Sequence, residues 1–166
     1  CSATRISRMG LVRTFQHAEV FSTLSVRENV QVAVHRGGRG DGAGVPRTVD
    51  ELLDLTGIGD VADRQAGALS YGNKRLLGIA LALGTAPEAL LLDEPTSGLN
   101  EAESLEVQRR LHLLRETDIA IGIIDHHMEF LLPLVDSVLV LRSGGMLWQG
   151  DPESFTTAEE VVEAYL

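Results

Sequence analysis

Two short apolar runs in the second half of the chain end in charged or imidazole side chains. Residues 89–94 read Ala-Leu-Leu-Leu-Asp-Glu, and residues 119–126 read Ile-Ala-Ile-Gly-Ile-Ile-Asp-His. Uninterrupted apolar runs of this length are typical of parallel strands covered on both faces. Between them, 100–116 predicts a helix, because Asn100 can cap it and its acidic residues precede its basic ones. The pattern therefore predicts a βαβ unit whose strands end at one sheet edge, where open α/β sheets bind ligands.

The remaining pattern predicts further helices and a β-hairpin. Ser25 followed by Glu28 forms a capping-box pattern, and Ser70 precedes a helix rich in Leu and Ala. The pattern also predicts a strand within 9–15, a helix at 48–55 and one helical turn at 60–65. Further along the chain it predicts a broken helix at 128–135, a hairpin at 137–148 and a final helix at 159–166. Residues 2–9 show no clear helix start, and the glycine-rich stretch 37–44 predicts a flexible loop.

Composition narrows the class of protein. The 166 residues carry a formal net charge of −10 and are 44% hydrophobic, which is typical of a soluble globular chain of roughly one domain. The acidic balance argues against a broad nucleic-acid surface. A single cysteine, Cys1, excludes a disulfide framework within the chain and a cysteine-rich zinc site. Because the chain opens on Cys1 without a helix start or a signal segment, we expect it to begin inside a longer cytoplasmic polypeptide.

The paired carboxylates at the end of the first apolar run carry the strongest chemical signal. In phosphoryl-transfer sites an acid like Asp93 can hold Mg²⁺, and one like Glu94 can polarise an attacking water. Ser70 and Gly72 open a helix, and a helix N-terminus favours anions. Each of these features also has a purely structural interpretation. Asp93 and Glu94 could be an acidic pair at the surface, and Ser70 could be an ordinary helix cap. His126, at the end of the second apolar run, could be a structural histidine without a catalytic role.

Order and spacing together resemble the nucleotide-binding domain of ABC transporters. Thr14-Phe15-Gln16 resembles the Q-loop, and Leu69-Ser70-Tyr71-Gly72-Asn73 resembles the signature motif. The remaining matches are a Walker B motif with its catalytic Glu at 90–94, a D-loop at 97–100 and a switch histidine at His126. The five motifs occur in the family's order, and the resemblance covers nearly the whole chain.

The variants within these motifs point to one branch of that family. Tyr71, the D-loop ending in Asn100, the Arg-Thr-Phe-Gln sequence and a tail of Gly-Asp-Pro-Glu followed by Ala-Tyr-Leu resemble the ATPases of branched-chain (Liv-type) amino-acid importers. Asn73 departs from the Gln that is usual there, and it keeps the amide at a shorter reach. His127 stands where an acid is common, and no function is attached to it.

The resemblance implies a role for each matched residue. Gln16 would contact Mg²⁺ and the attacking water, and Asp93 would help to hold the metal. Glu94 would activate the water, and His126 would hydrogen-bond the γ-phosphate. The cofactor-binding residues implied for ATP are Ser70, Tyr71, Gly72, Asn73 and Asn100, with Ser70 and Gly72 facing ATP bound to the opposite subunit and Asn100 helping to join the two subunits.

The resemblance also implies a fold and a set of partners. We expect an α/β fold, the C-terminal portion of an ABC-type P-loop NTPase core with parallel strands, plus a helical subdomain. The expected segments are 1–16 (end of a core segment and Q-loop), 17–84 (helical subdomain ending in the signature helix) and 85–166 (C-terminal part of the core). The partners implied are a second ABC ATPase subunit, transmembrane permease subunits and, indirectly, a substrate-binding protein, at the inner face of the cell membrane and without nucleic acid.

One expected motif is missing from the sequence. The 166 residues contain no Gly-x-x-x-x-Gly-Lys-Ser/Thr, and the glycine run at 37–44 has no lysine and opens no such helix. In the family this loop precedes the Q-loop and supplies most of the phosphate contacts. We therefore expect an ATPase by resemblance, but a chain that is inactive and binds ATP weakly or not at all by itself.

The sequence alone leaves three alternative functions open. The chain could be a truncated, non-catalytic remnant or interaction module. It could be a relative with the same core that serves DNA repair or translation, although no second such domain or coiled-coil insertion is visible. A serine hydrolase would use Ser70, Asp93 and His126, which occur in the order of an α/β-hydrolase triad, but a polar, turn-like segment precedes Ser70 where a strand is needed.

Overall fold

The structure is a computed structural model that describes residues 3–14, 20–36, 48–158 and 161. The chain divides into two compact units, Cys1–His126 and His127–Leu166. The five glycines of the predicted loop, Gln16 and most of the predicted final helix lie outside the described residues.

The first unit is built on a parallel three-stranded sheet. Its strands are β1 (Leu11–Arg13), β2 (Ala89–Asp93) and β3 (Ala120–Ile124), in the spatial order β1-β2-β3. Both strand pairs are parallel, and Leu90 at the centre lies beside Val12 on one side and Ile121 on the other. The two apolar runs therefore form neighbouring parallel strands, as predicted.

Four of the five α-helices described in this unit begin where the sequence supplies a cap. Their bounds are α1 (Ala3–Arg8), α2 (Val26–Arg36), α3 (Val49–Thr56), α4 (Tyr71–Gly84) and α5 (Glu101–Leu114). Thr48 and Asn100 each form a capping box with a glutamate three residues later, and the Ser70 hydroxyl accepts the Asn73 N–H. Ser25 and Glu28 make the predicted reciprocal contacts ahead of α2.

Both the sheet and the helices contribute to the hydrophobic core of the unit. Leu90 and Leu92 on β2 are 1% and 0% exposed. The fully buried large side chains around the unit include Leu77, Ile79 and Leu83 from α4, Leu111 and Leu114 from α5, Leu52 and Leu53 from α3, and Val26 and Val30 from α2. β2 and four of the helices thus each contribute fully buried side chains to this unit.

Two details of the first unit differ from the sequence prediction. β3 is not covered on both faces: its residues alternate between exposed and half-buried, and Ile124 is 51% exposed. β3 is one of the two edge strands of the described sheet, whereas β2 lies at its centre. A helix, α1, forms at Ala3–Arg8, where no helix start was predicted, and its first turn carries no acidic residue.

The second unit contains the predicted hairpin. The strands β4 (Val138–Arg142) and β5 (Gly145–Gly150) pair antiparallel, after α6 (Met128–Leu131) and before α7 (Pro152–Phe155). A 3₁₀ turn carrying Pro133 follows α6, which explains the predicted break. Val138, Val140, Phe155 and Val161 form the core of this unit, and Trp148 packs edge-on against Phe155.

No helix within the described ranges is both long and apolar enough to cross a membrane.

Because β2 is the central strand of the described sheet, its buried apolar side chains should contribute strongly to the free energy of unfolding. We expect Leu92→Ala to lower the free energy of unfolding of the native polypeptide by about 2–5 kcal/mol, because it leaves a cavity in a fully buried position. Leu105→Ala on α5, where Leu105 is 47% exposed, should cost less than about 1 kcal/mol. Urea unfolding followed by circular dichroism measures both, and equal losses would contradict this packing.

Candidate functional site

The carboxyl ends of β2 and β3 bring Glu94 and His126 together. Asp93 pairs in register with Ile124, so the next residues of both strands leave the sheet side by side. The Glu94 N–H donates to the Ile124 carbonyl at 2.7 Å, and Glu94 Oε1 lies 3.7 Å from His126 Nδ1. Both side chains are accessible, at 39% and 64% exposed. A carboxylate and an imidazole thus meet at an open sheet edge.

Glu94 adopts a backbone conformation that side-chain-bearing residues seldom use. Its φ is +44°, in the left-handed region. The turn that imposes this φ is closed by two backbone hydrogen bonds, from Glu94 N–H to Ile124 and from Ser97 N–H to the Glu94 carbonyl at 3.1 Å. Non-glycine residues in sparsely populated regions persist where surrounding structure determines them, and they cluster at functional sites.

Asp125 anchors the backbone of the histidine. Its side chain is 0% exposed, and its carboxylate accepts the Thr96 hydroxyl at 2.7 Å and the His126 N–H at 2.8 Å. A buried carboxylate needs such donors, because removing it from water without them is costly. The position of His126 is therefore set by a buried polar group, and that group is tied to the turn after Glu94 through Thr96.

Asp93, the predicted metal ligand, pairs with an arginine from β1. Arg13 Nη2 lies 2.6 Å from Asp93 Oδ2, and the two side chains are 52% and 26% exposed. A carboxylate at this edge is the hard oxygen ligand that Mg²⁺ prefers, so the donor fits the metal. A cation already pairs with that carboxylate, and a metal there would share Asp93 with Arg13 or displace the guanidinium. Gln16, the other predicted ligand, lies outside the described residues.

The predicted signature motif forms the first turn of α4. Tyr71 is exposed, whereas Gly72 is buried. The Gly72 N–H donates to Glu103 Oε1 of α5 at 3.0 Å, and a Cβ on Gly72 would lie 2.8 Å from Glu103 Cγ. Only glycine fits this approach without displacing the glutamate.

The same glutamate reaches the predicted D-loop. Glu103 Oε2 accepts the Asn100 N–H at 3.3 Å, while the Asn100 side chain accepts the Glu103 N–H at 3.0 Å. One carboxylate therefore joins the N-terminus of α4 to the N-terminus of α5. The capping half of this arrangement follows an Asn-x-x-Glu pattern visible in the sequence, but its contact with Gly72 does not.

The hydrolase triad is not assembled. Ser70 follows a 3₁₀ turn at Ala66–Ala68 instead of a strand, and its hydroxyl caps α4. His126 faces Glu94, and Asp93 faces Arg13. The order of the three residues along the chain does not correspond to a triad in space.

Known proteins match the chain over nearly its full length. The family model described as "ABC transporter" matches residues 2–97. The high-affinity branched-chain amino acid transport ATP-binding protein LivG of Escherichia coli strain K12 is 36% identical over 177 aligned positions, which cover 98% of this chain and 69% of LivG. BraF of Pseudomonas aeruginosa, described in the same terms, is 32% identical with the same coverage.

Solved structures agree on the fold. The ADP conformation of MJ1267, an ATP-binding cassette of an ABC transporter, superposes with a TM-score of 0.81 at 24% identity, over 99% of this chain and 71% of that one. At this identity the likeness supports the α/β cassette fold and nothing further. Together with the family match, it establishes that the chain belongs to the ABC transporter family, with the fold of its ATP-binding cassettes.

Proposed function

We propose that this protein is the ATP-hydrolysing subunit of an ABC importer and couples hydrolysis to transport at an interface shared by two such subunits. The observation that carries the proposal is the meeting of Glu94 and His126 at the ends of neighbouring parallel strands, 3.7 Å apart, in a chain of this family. A base and a hydrogen-bond donor at one open edge suit in-line attack of water on a phosphoryl group.

Each of the two side chains has a distinct role in this proposal. Glu94 accepts a proton from the water as the water oxygen bonds to the γ-phosphorus of ATP and the bond to the leaving ADP breaks. His126, whose Nδ1 faces Glu94, offers Nε2 on the other side of the ring to a γ-phosphate oxygen and stabilises its developing charge. The buried Asp125 carboxylate holds the backbone of His126 so that the ring keeps this position.

Asp93 and Gln16 are the proposed ligands of Mg²⁺. When bound, the metal neutralises charge on the phosphate oxygens of ATP. Asp93 ends β2 immediately before Glu94, so the strand itself sets the spacing between the metal ligand and the base. Arg13 then acts as the counter-ion that holds the Asp93 carboxylate in place.

Ser70, Tyr71, Gly72 and Asn73 are proposed to face ATP held by the second subunit. The first turn of a helix points backbone N–H groups outward and favours anions, and α4 is long enough to act in this way. Asn100 caps α5 beside this turn and is proposed to contribute to the contact between subunits. A lone subunit then has an incomplete site.

The transported substrate and the remaining partners are proposed from the relatives. LivG and BraF are described as branched-chain amino acid transport proteins, and MetN of Pseudomonas fluorescens, 35% identical over 90% of this chain, as a methionine import protein. We infer an importer of branched-chain or related amino acids or amides. Its permease subunits would hold this protein at the inner face of the membrane, and a substrate-binding protein would deliver the cargo.

Replacing the proposed base tests the proposal directly. In the native protein with its transport partners, Glu94→Gln should lower the ATP turnover number at least about 100-fold, because the amide cannot accept the proton. ATP-dependent association of the two subunits should persist. Phosphate release and light scattering measure the two properties.

Glu116→Gln supplies the control for this experiment, because it removes an equal charge from an exposed site on the chain. Its turnover number should match the wild type. A Glu94→Gln variant that turns over ATP at the wild-type rate would remove Glu94 from the role of base.

A second experiment addresses the interaction-module alternative, which the lack of a Gly-x-x-x-x-Gly-Lys motif within these residues favours. We expect the isolated 166-residue chain to bind ATP too weakly for calorimetry and to release no phosphate, since most phosphate contacts in this family come from that motif. Stoichiometric ATP binding by the isolated chain would contradict this expectation.

A further inference from the structure

Arg75 links the signature helix to the turn that follows the proposed base. It is the fifth residue of α4 and is half-buried. Its Nη2 donates to the backbone carbonyl of Ser97 at 3.1 Å. Ser97 also closes the turn at Glu94 through its own N–H, so the Arg75 contact acts on the backbone of that turn.

Two carboxylates lie within electrostatic range of the Arg75 guanidinium. Burial lowers the pKa of Arg75 from its usual value, while the charge of Asp125, and then that of Glu94, acts in the opposite direction. Asp125 has a fully buried side chain, so a half-buried cation nearby compensates a charge that water does not reach. Arg75 is therefore within electrostatic range of the acids that directly follow β2 and β3.

A second contact holds the same turn of α4 in place. Glu103 accepts the Gly72 N–H, and this contact runs from α5 to α4, whereas Arg75 reaches from α4 to the segment that leads into α5. One contact thus joins α5 to the first turn of α4, and the other joins α4 to the segment between Glu94 and α5.

We propose that Arg75 is a positioning residue for ATP hydrolysis: from the signature helix it holds the Ser97 carbonyl, and through Ser97 the turn that carries Glu94, within one subunit. The proposal rests on the function proposed above. Through Arg75, the motif that faces the partner's ATP is linked to the base that acts on the subunit's own ATP. Displacing the signature helix then displaces the base.

The chemistry of arginine suits this task better than that of lysine. A guanidinium donates in several directions in one plane, so it can hold a backbone carbonyl and face carboxylates at the same time. A lysine ammonium supplies the charge as a single point on a flexible stem. Arg75→Lys should therefore keep a larger fraction of the wild-type kcat than Arg75→Gln, but not all of it.

The test compares three variants of the native protein assembled with its transport partners. Arg75→Gln should lower kcat for ATP about 10- to 100-fold and change KM less than about twofold, because the base is misplaced while Arg75 itself does not contact the nucleotide. Arg75→Lys should give an intermediate kcat. Arg142→Gln, which makes the same substitution at an exposed site on β4, should keep the wild-type kcat.

A purely structural role for Arg75 predicts a different pattern. In that case kcat per folded molecule, measured after active-site titration, would stay at the wild-type value although the melting temperature fell. That result overturns the proposal. If Arg75→Gln does not fold, Arg75→Lys decides: wild-type kcat overturns the proposal, and a reduced kcat at unchanged KM supports it.

The same assay separates this proposal from the one on which it rests. Unchanged turnover in Glu94→Gln would refute Glu94 as the base, and the positioning role of Arg75 with it. Lost turnover in Glu94→Gln beside wild-type kcat in Arg75→Gln would refute the positioning role alone.

Discussion

The in-register parallel pairing of β2 and β3 is the constraint on which the rest of the site depends. Neighbouring parallel strands have their carboxyl ends at the same edge of the sheet. The residues that follow Asp93 and Ile124 therefore leave the sheet next to each other. The Glu94 N–H extends this pairing by donating to the Ile124 carbonyl. A shift of one residue in the register would turn the alternating side chains to the opposite faces and separate Glu94 from His126.

The buried carboxylate of Asp125 is a second constraint on the site, and its place after β3 follows from the strand pairing. Asp125 comes directly after β3 and has no access to water. Its charge has to be met by donors within the protein, and Thr96, the His126 backbone and the field of Arg75 meet it. These groups come from three different segments, so satisfying one buried acid also brings together the turn after Glu94, the histidine and the signature helix.

The sequence predicted those features that depend on neighbouring residues. The caps at Ser25, Ser70 and Asn100 and the strand at 89–93 form as expected, since each depends on a few adjacent side chains. The partial exposure of β3 could not be predicted, because it depends on the order of the strands in the sheet and not on the apolar run itself.

The contacts that were not predicted join residues far apart in the chain. Arg13 and Asp93 are 80 positions apart, Gly72 and Glu103 are 31 apart, and Arg75 and Ser97 are 22 apart. No periodicity or motif in a single sequence encodes such pairs. The sequence motifs identified the residues of the proposed site. The charged residues that contact them, such as Arg13, became visible only in the structure.

The contact between Glu103 and Gly72 bears on how the proposed shared site would form. The N–H groups in the first turn of a helix lack partners within the helix, and a buried one without any partner is costly. Glu103 satisfies the Gly72 N–H within the subunit. A γ-phosphate from a second subunit that used this N–H would therefore replace one anion by another and would gain little from desolvation of the helix end. The net gain would come from the other first-turn groups and from contacts across the interface, so closure would depend on the whole interface and not on the signature helix alone.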